Sequence, residues 1–106
     1  VDEGDLQEYR QRERQKFEDA LRRNRNSASL FLRYAGWEEA QREWARARSV
    51  YERGLAVDPR NIVLWLRYAE MEVRQGNLNL ARNVWDRAVV VQPRVDQFWF
   101  KYAHME

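Results

Sequence analysis

Apolar residues fall along this chain at helical spacing, and turn-forming residues interrupt them at regular intervals. Leu64, Trp65, Tyr68, Ala69 and Met71 recur in i, i+4 steps, which lays one apolar stripe along a helix. Asn61 stands just ahead of that stripe as an N-cap, and Gly76-Asn77 breaks the chain behind it. Leu78, Ala81, Val84, Trp85, Ala88 and Val89 form a second stripe. Pro93 forbids its continuation, because proline lacks an N–H and pushes the preceding residue toward extended backbone. The same reading along the whole chain predicts helices over 5–24, 27–41, 44–57, 61–75, 77–91 and 95–106. The connections are a few residues long, so successive helices are antiparallel neighbours.

The pattern repeats. Phe31-Leu-Arg-Tyr-Ala returns as Trp65-Leu-Arg-Tyr-Ala and again as Trp99-Phe-Lys-Tyr-Ala, so positions 31, 65 and 99 step by 34. Ala47-Arg-Ser-Val-Tyr-Glu-Arg returns in the same register as Ala81-Arg-Asn-Val-Trp-Asp-Arg, and Pro59-Arg60 as Pro93-Arg94. One period earlier, Arg14, Phe17, Glu18, Ala20 and Leu21 fill the matching slots. Ungapped alignment of 27–60 with 61–94 gives 14 identities in 34, gathered on these two motifs. A fixed period of this length identifies a stacked-repeat architecture. The expected fold is all-α, a right-handed α-solenoid of antiparallel helical hairpins. Residues 1–26 supply the second helix of a preceding repeat, 27–60 and 61–94 are whole repeats, and 95–106 supply the first helix of the following one. Each hairpin in such an array stacks only on its neighbours. The isolated stretch is therefore expected to expose apolar end faces and to self-associate through them.

Composition narrows the picture. Hydrophobic residues make up 44% of the 106 and charged residues 34%, a mix unlike a disordered tail or a membrane-embedded chain. No apolar run approaches the length of a span, and no signal-peptide pattern opens the sequence. Cysteine is absent, which removes disulfides and thiolate metal sites. Net charge is only +2, but it is uneven. Residues 10–25 hold seven basic residues against three acids, or +4, leaving −2 for the remainder. This basic helix reads as a solvated face, or as a contact for RNA phosphate or an acidic partner.

The aromatic residues fall mostly in repeated slots, so Phe17, Phe31, Tyr34, Tyr51, Trp65, Tyr68, Trp85, Trp99 and Tyr102 are expected to form the repeat core. Trp65 and Trp99 are expected to share one environment. Stacking platforms for single-stranded nucleic acid are the rival reading. Trp37 and Phe100 are less bound to the repeat and are candidates for exposed contacts. Glu38, Glu72 and Glu106 share one slot near the end of the first helix, and Arg48 and Arg82 share one near the start of the second. In an antiparallel hairpin those ends meet, so Glu38–Arg48 and Glu72–Arg82 ion pairs are expected between helices. Pro59 and Pro93 mark turns. His104 has no second histidine or cysteine at ligand spacing, and neither a metal nor another cofactor is expected. No nucleophile–base set is available, so an enzyme is not expected.

A 34-residue two-helix repeat suggests TPR, but the Trp-x-x-Leu-Gly-x-x-Tyr pattern is missing. Trp65-x-x-Tyr68-x-x-x-Glu72 followed by Ala81-Arg82-x-Val84-Trp85-Asp86-Arg87-Ala88 and Pro93 instead resembles the HAT (half-a-TPR) repeat family. Over residues 7–106 the likeness is to the N-terminal repeats of the crooked-neck type, spliceosomal scaffolds associated with the nineteen complex. Phe31 stands where Trp is expected, Arg25 where the turn Pro is expected and Gly54 where Ala is usual. The resemblance implies a nuclear location and a part in pre-mRNA splicing through contacts with other splicing-complex proteins, further HAT-repeat proteins among them. Direct RNA contact through the 10–25 helix, or a scaffold role in mRNA 3′-end processing, are the alternatives. In such arrays the second helices line the binding side, which nominates Arg46, Ser49, Arg53, Asn83 and Arg87.

Overall fold

A computed structural model of the chain describes residues 2–104, so Glu106 of the expected acidic slot lies outside the described residues. Among these there are six helices and no strand. They are α1 (Glu3–Arg23), α2 (Ala28–Ala40), α3 (Trp44–Val57), α4 (Ile62–Arg74), α5 (Leu78–Val91) and α6 (Asp96–Ala103). The described chain is all-α, and the first five helices start and stop within about two residues of the expected ends; α6 runs to Ala103, and its expected end at 106 lies outside the described residues. Two compact units divide it, 1–53 and 54–106, with the division inside α3.

Local chemistry recurs with the repeat. Ser27 accepts the Leu30 N–H at 3.2 Å, and Asn61, one period on, accepts the Leu64 N–H at 3.0 Å. Both are N-cap bonds that satisfy an amide with no helical partner. Val95 fills the third such slot and makes no side-chain cap. At the hairpin turns, Glu43 N–H reaches Glu38 C=O at 3.0 Å and Asn77 N–H reaches Glu72 C=O at 2.9 Å. These are the long bonds of one C-terminal cap, which needs a left-handed residue just inside it. Gly76 takes that conformation with φ 76°, and Arg42 takes it in the first hairpin with φ 60°. Side chains pay for positive φ where glycine does not. Arg42→Gly is therefore expected to stabilise the chain by about 1 kcal/mol, allowing for glycine's greater unfolded-state entropy. A thermal melt checks this: the midpoint should rise by a few degrees, and a fall would show that Arg42 contributes more than its backbone costs.

In the first unit the core is Leu21, Leu30, Phe31, Tyr34, Ala35, Ala47, Val50 and Tyr51. In the second it is Leu55, Leu64, Trp65, Tyr68, Ala69, Met71, Ala81, Val84, Trp85, Ala88, Val89 and Phe98. The alanines at 35, 47, 69, 81 and 88 are completely buried, which is how small residues let helix backbones approach. Phe17, half-buried on α1, stacks on Tyr34 with ring centroids 4.7 Å apart.

One expected core residue is displaced. Trp99 is 48% exposed while Trp65 is 2% exposed. Trp65 lies on α4 beneath the Arg87 guanidinium of α5, whereas no described helix follows α6 to cover Trp99. Tyr102, in the same helix as Trp99, is half-buried. Trp37 departs in the other direction. It is half-buried against Phe17, 6.0 Å away, and under Arg14 at 5.5 Å. Phe100 is 63% exposed, as expected, and stacks on His104. Apolar exposure at the ends is therefore uneven: α6 shows Trp99 and Phe100, whereas α1 presents a polar groove of Glu8, Gln11, Arg12 and Gln15.

Candidate protein-binding surface

What the chain can offer a partner is set by which side chains the fold has already engaged. The acidic slot is engaged first. Glu38 is 1% exposed, and Arg14 meets it with a two-pronged fork, Nε to Oε2 at 2.8 Å and Nη2 to Oε1 at 3.0 Å. The bond raises the Arg14 pKa, so the guanidinium stays charged at any workable pH. Arg14 occupies the arginine slot one period before Arg48. The fork on Glu38 thus comes from the preceding second helix, a partner that the reading within one hairpin missed. The signal was present, because Arg14 had already been placed in the repeat register. Glu72 is fully buried and accepts the Asn77 side-chain amide at 3.2 Å. Arg48 and Arg82 are half-buried and engaged by neighbours, and Arg82 also reaches Asn79 at 3.4 Å.

A second cluster ties Glu18, Tyr34 and Arg53. Arg53 forks onto Glu18 at 2.7 and 2.9 Å and lies over the Phe31 ring at 5.8 Å. Arg87, one period on, lies over the Trp65 ring at 5.3 Å. The arginine-on-aromatic stack therefore recurs with the repeat, a cation–π contact that also shields the ring from water. The fork lowers the Glu18 pKa. Burial, then the hydrogen bond to Glu18, pushes the Tyr34 phenol up to about 12. Because the folded value is raised, the stability tied to this phenol is complete below pH 10 and fades as pH climbs toward 12. Alkaline unfolding of a Tyr34→Phe variant should lack that component. An unchanged alkaline limb would contradict the assignment.

Trp65 and Trp99, one period apart on first helices, share a bond that pattern reading overlooks. The Trp65 indole N–H donates to the Pro59 carbonyl at 2.7 Å, and Trp99 donates to the Pro93 carbonyl at 2.8 Å. Each proline turn thereby aims an acceptor at the indole six residues later, a spacing visible in the sequence at both places. Pro59 and Pro93 are thus both turn formers and anchors.

These contacts sort the nominated binding residues. Arg46, Ser49 and Asn83 are exposed on α3 and α5. Arg53 and Arg87 are turned onto aromatic rings of their own units. The basic α1 is likewise partly spent: Arg10 bonds Gln41 at 3.1 Å and sits 3.5 Å from Glu43, Arg14 holds Glu38, Lys16 pairs with Glu13 and Arg22 with Asp19. Val63, Val73, Leu78, Leu80 and Val90 add exposed apolar area on α4 and α5. Among the described residues no group of three or more acids, histidines or cysteines could hold a metal. No described helix is long and apolar enough to cross a membrane.

Comparison with known proteins agrees with this architecture. Residues 13–106 match the family described as the pre-mRNA-splicing factor Syf1/CNRKL1 N-terminal HAT repeat. Pre-mRNA-splicing factor clf-1 of Neurospora crassa is 56% identical over 46 residues, 43% of this chain and 7% of that protein. Crooked neck-like protein 1 of Mus musculus is 55% identical over 50 residues, 47% of this chain and 7% of that protein. Crooked neck-like protein 1 of Dictyostelium discoideum is 53% identical over 46 residues, 43% of this chain and 6% of that protein. The chain thus spans less than a tenth of the length of these curated relatives. With helical hairpins in a fixed register and a match across 13–106, the chain belongs to the N-terminal HAT-repeat family of the Syf1/CNRKL1 pre-mRNA-splicing factors.

Proposed function

We propose that this chain is a protein-binding scaffold segment of a crooked-neck-like pre-mRNA splicing factor, working in the nucleus without catalysing a reaction. The observation that carries this is where the polar chemistry lies. The buried carboxylates Glu38 and Glu72 are used to set helix against helix, and the arginines at 14, 53 and 87 are held by groups of the fold. What remains for others is a surface of exposed side chains: Arg46, Ser49 and Asn83 on the second helices, with valines and leucines nearby in the sequence. Repeat arrays bind through such extended surfaces, by many shallow contacts. Repeats 27–60 and 61–94 are the working units. Arg48 and Arg82 serve the acidic slot, as Arg14 does, in pairs with Glu38 and Glu72.

The engagement of Arg10 and Arg14 with Glu43 and Glu38 removes two cations from any RNA contact, while Arg12, Arg23 and Arg25 stay exposed and keep RNA as the rival reading. Cross-linking mass spectrometry in splicing-competent nuclear extract tests the reading. Cross-links to splicing-complex proteins that survive nuclease treatment are expected. Cross-links that vanish with nuclease, together with RNA binding that weakens steeply between two salt concentrations, would replace it with RNA contact. Cross-links chiefly to 3′-end processing proteins would move the scaffold to that machinery.

A further inference from the structure

A hollow of about 590 Å³ opens between α5 and α6 of the second unit, lined by Asp86, Val89, Val90, Trp99, Tyr102 and Ala103. Its acid and two of its rings repeat a cluster that is complete in the first unit. There, Glu18 takes the Arg53 fork at 2.7 and 2.9 Å and a hydrogen bond from Tyr34, while Arg53 lies 5.8 Å from the centre of the Phe31 ring. Two periods on from Glu18, Tyr34 and Phe31 stand Asp86, Tyr102 and Trp99. The Tyr102 hydroxyl donates to the Asp86 carboxylate at 2.5 Å, so phenol and acid keep their bond. Among the described residues, however, no guanidinium lies over Trp99, whose side chain is 48% exposed. Arg53 follows Phe31 by 22 positions and Arg87 follows Trp65 by the same 22, so the matching position after Trp99 falls past residue 106. Arg82, one turn before Asp86, does not fill the role: Arg14 stands one turn before Glu18 in the same way and forks onto Glu38. The hollow also has a covered counterpart in its own unit. Leu55, Trp65, Tyr68 and Ala69 hold the places of Val89, Trp99, Tyr102 and Ala103 one period earlier, and each is at most 4% exposed. There α5 packs on α4, with Ala81 and Ala88 fully buried and Arg87 5.3 Å from the Trp65 ring centre.

We propose that Asp86, Trp99 and Tyr102 form an arginine site, filled by a guanidinium on the helix that follows α6 in the longer protein. The two filled examples, Arg53 and Arg87, set the occupant. A carboxylate offers a guanidinium two parallel bonds, and an indole offers it a face to lie on. An ammonium matches the charge but not the fork. The site therefore joins one repeat to the next, and Trp99 belongs to that joint instead of to the surface left for partners. This goes beyond the scaffold reading and does not depend on it.

The test lengthens the chain past Glu106 with a copy of its own residues 73–94, which keeps the 34-residue register because Glu106 matches Glu72. The copy of Arg87 then falls 22 positions after Trp99. In NMR of the labelled protein, exchange of the Trp99 indole proton should slow by about tenfold or more on extension. Nuclear Overhauser contacts should join the copied arginine to the Trp99 ring. Alanine in place of that arginine, or Asp86→Asn, should abolish most of the slowing, and lysine in its place should recover only part. Asp86 is exposed, so Asp86→Asn leaves the parent fold intact, which the spectrum of the unextended variant checks. Trp99 exchange unchanged by the extension, slowing indifferent to both substitutions, or an arginine without contact to Trp99 would each overturn the proposal. A full-length sequence with no arginine 22 positions after Trp99 would overturn it as well. Partner cross-links bear on the scaffold reading alone, so the two can fail separately.

Discussion

Trp65→Ala should cost the chain about 3–5 kcal/mol, enough to unfold it at ordinary temperature. The indole is 2% exposed, sits under Arg87 and donates to the Pro59 carbonyl. Its removal leaves a cavity, an unstacked guanidinium and an acceptor without its donor, in a unit whose core is small. Trp99→Ala should cost less, about 2 kcal/mol, because that indole is 48% exposed and gives up only about half its area along with its bond to Pro93. Urea denaturation of the two variants side by side measures the contrast. Equal losses would show that the two repeat positions are buried alike in solution.

Arg14→Ala should be nearly as damaging, at about 3–5 kcal/mol, because it strips the cation from a carboxylate that is 1% exposed. Arg14→Lys should recover only part of the loss. An ammonium keeps the charge but supplies no parallel pair of bonds to Oε1 and Oε2, and it stacks less well on Trp37. The double variant Arg14→Met, Glu38→Leu should be more stable than Arg14→Ala alone, since no charge is then left buried. Chemical denaturation of the set decides. An Arg14→Ala protein as stable as the parent would mean that the fork carries little energy.

Most of the fold was legible in the sequence because its signals are local. Caps such as Ser27 and Asn61, prolines at 59 and 93 and stripes of period near four place helix ends without any tertiary knowledge. Arg42 was harder, since nothing about an arginine announces a left-handed turn; only its alignment with Gly76 does. Burial of the first-helix aromatics followed from the repeat for Phe31, Tyr34, Trp65 and Tyr68. It failed for Trp99, because a slot is buried only when a neighbouring helix covers it. The acidic slot is legible as a repeated position, but the arginine seen on Glu38 is Arg14 of an earlier helix, which spacing within one hairpin does not reveal. Binding residues were the least legible. Nothing in the spacing shows that Arg53 and Arg87 lie over aromatic rings, and Arg53 stays exposed while it does so.

Amide hydrogen exchange followed by NMR tests the central claim most directly. If paired helices recur every 34 residues, slow exchange should return in matching stretches at 30–41 and 64–75, and at 47–57 and 81–91, broken at Asp58–Asn61 and at the Gly76 turn. The Trp65 indole proton should be protected with them. Protection that fails to repeat at that interval, or a Trp65 indole that exchanges as fast as a free side chain, would contradict the account.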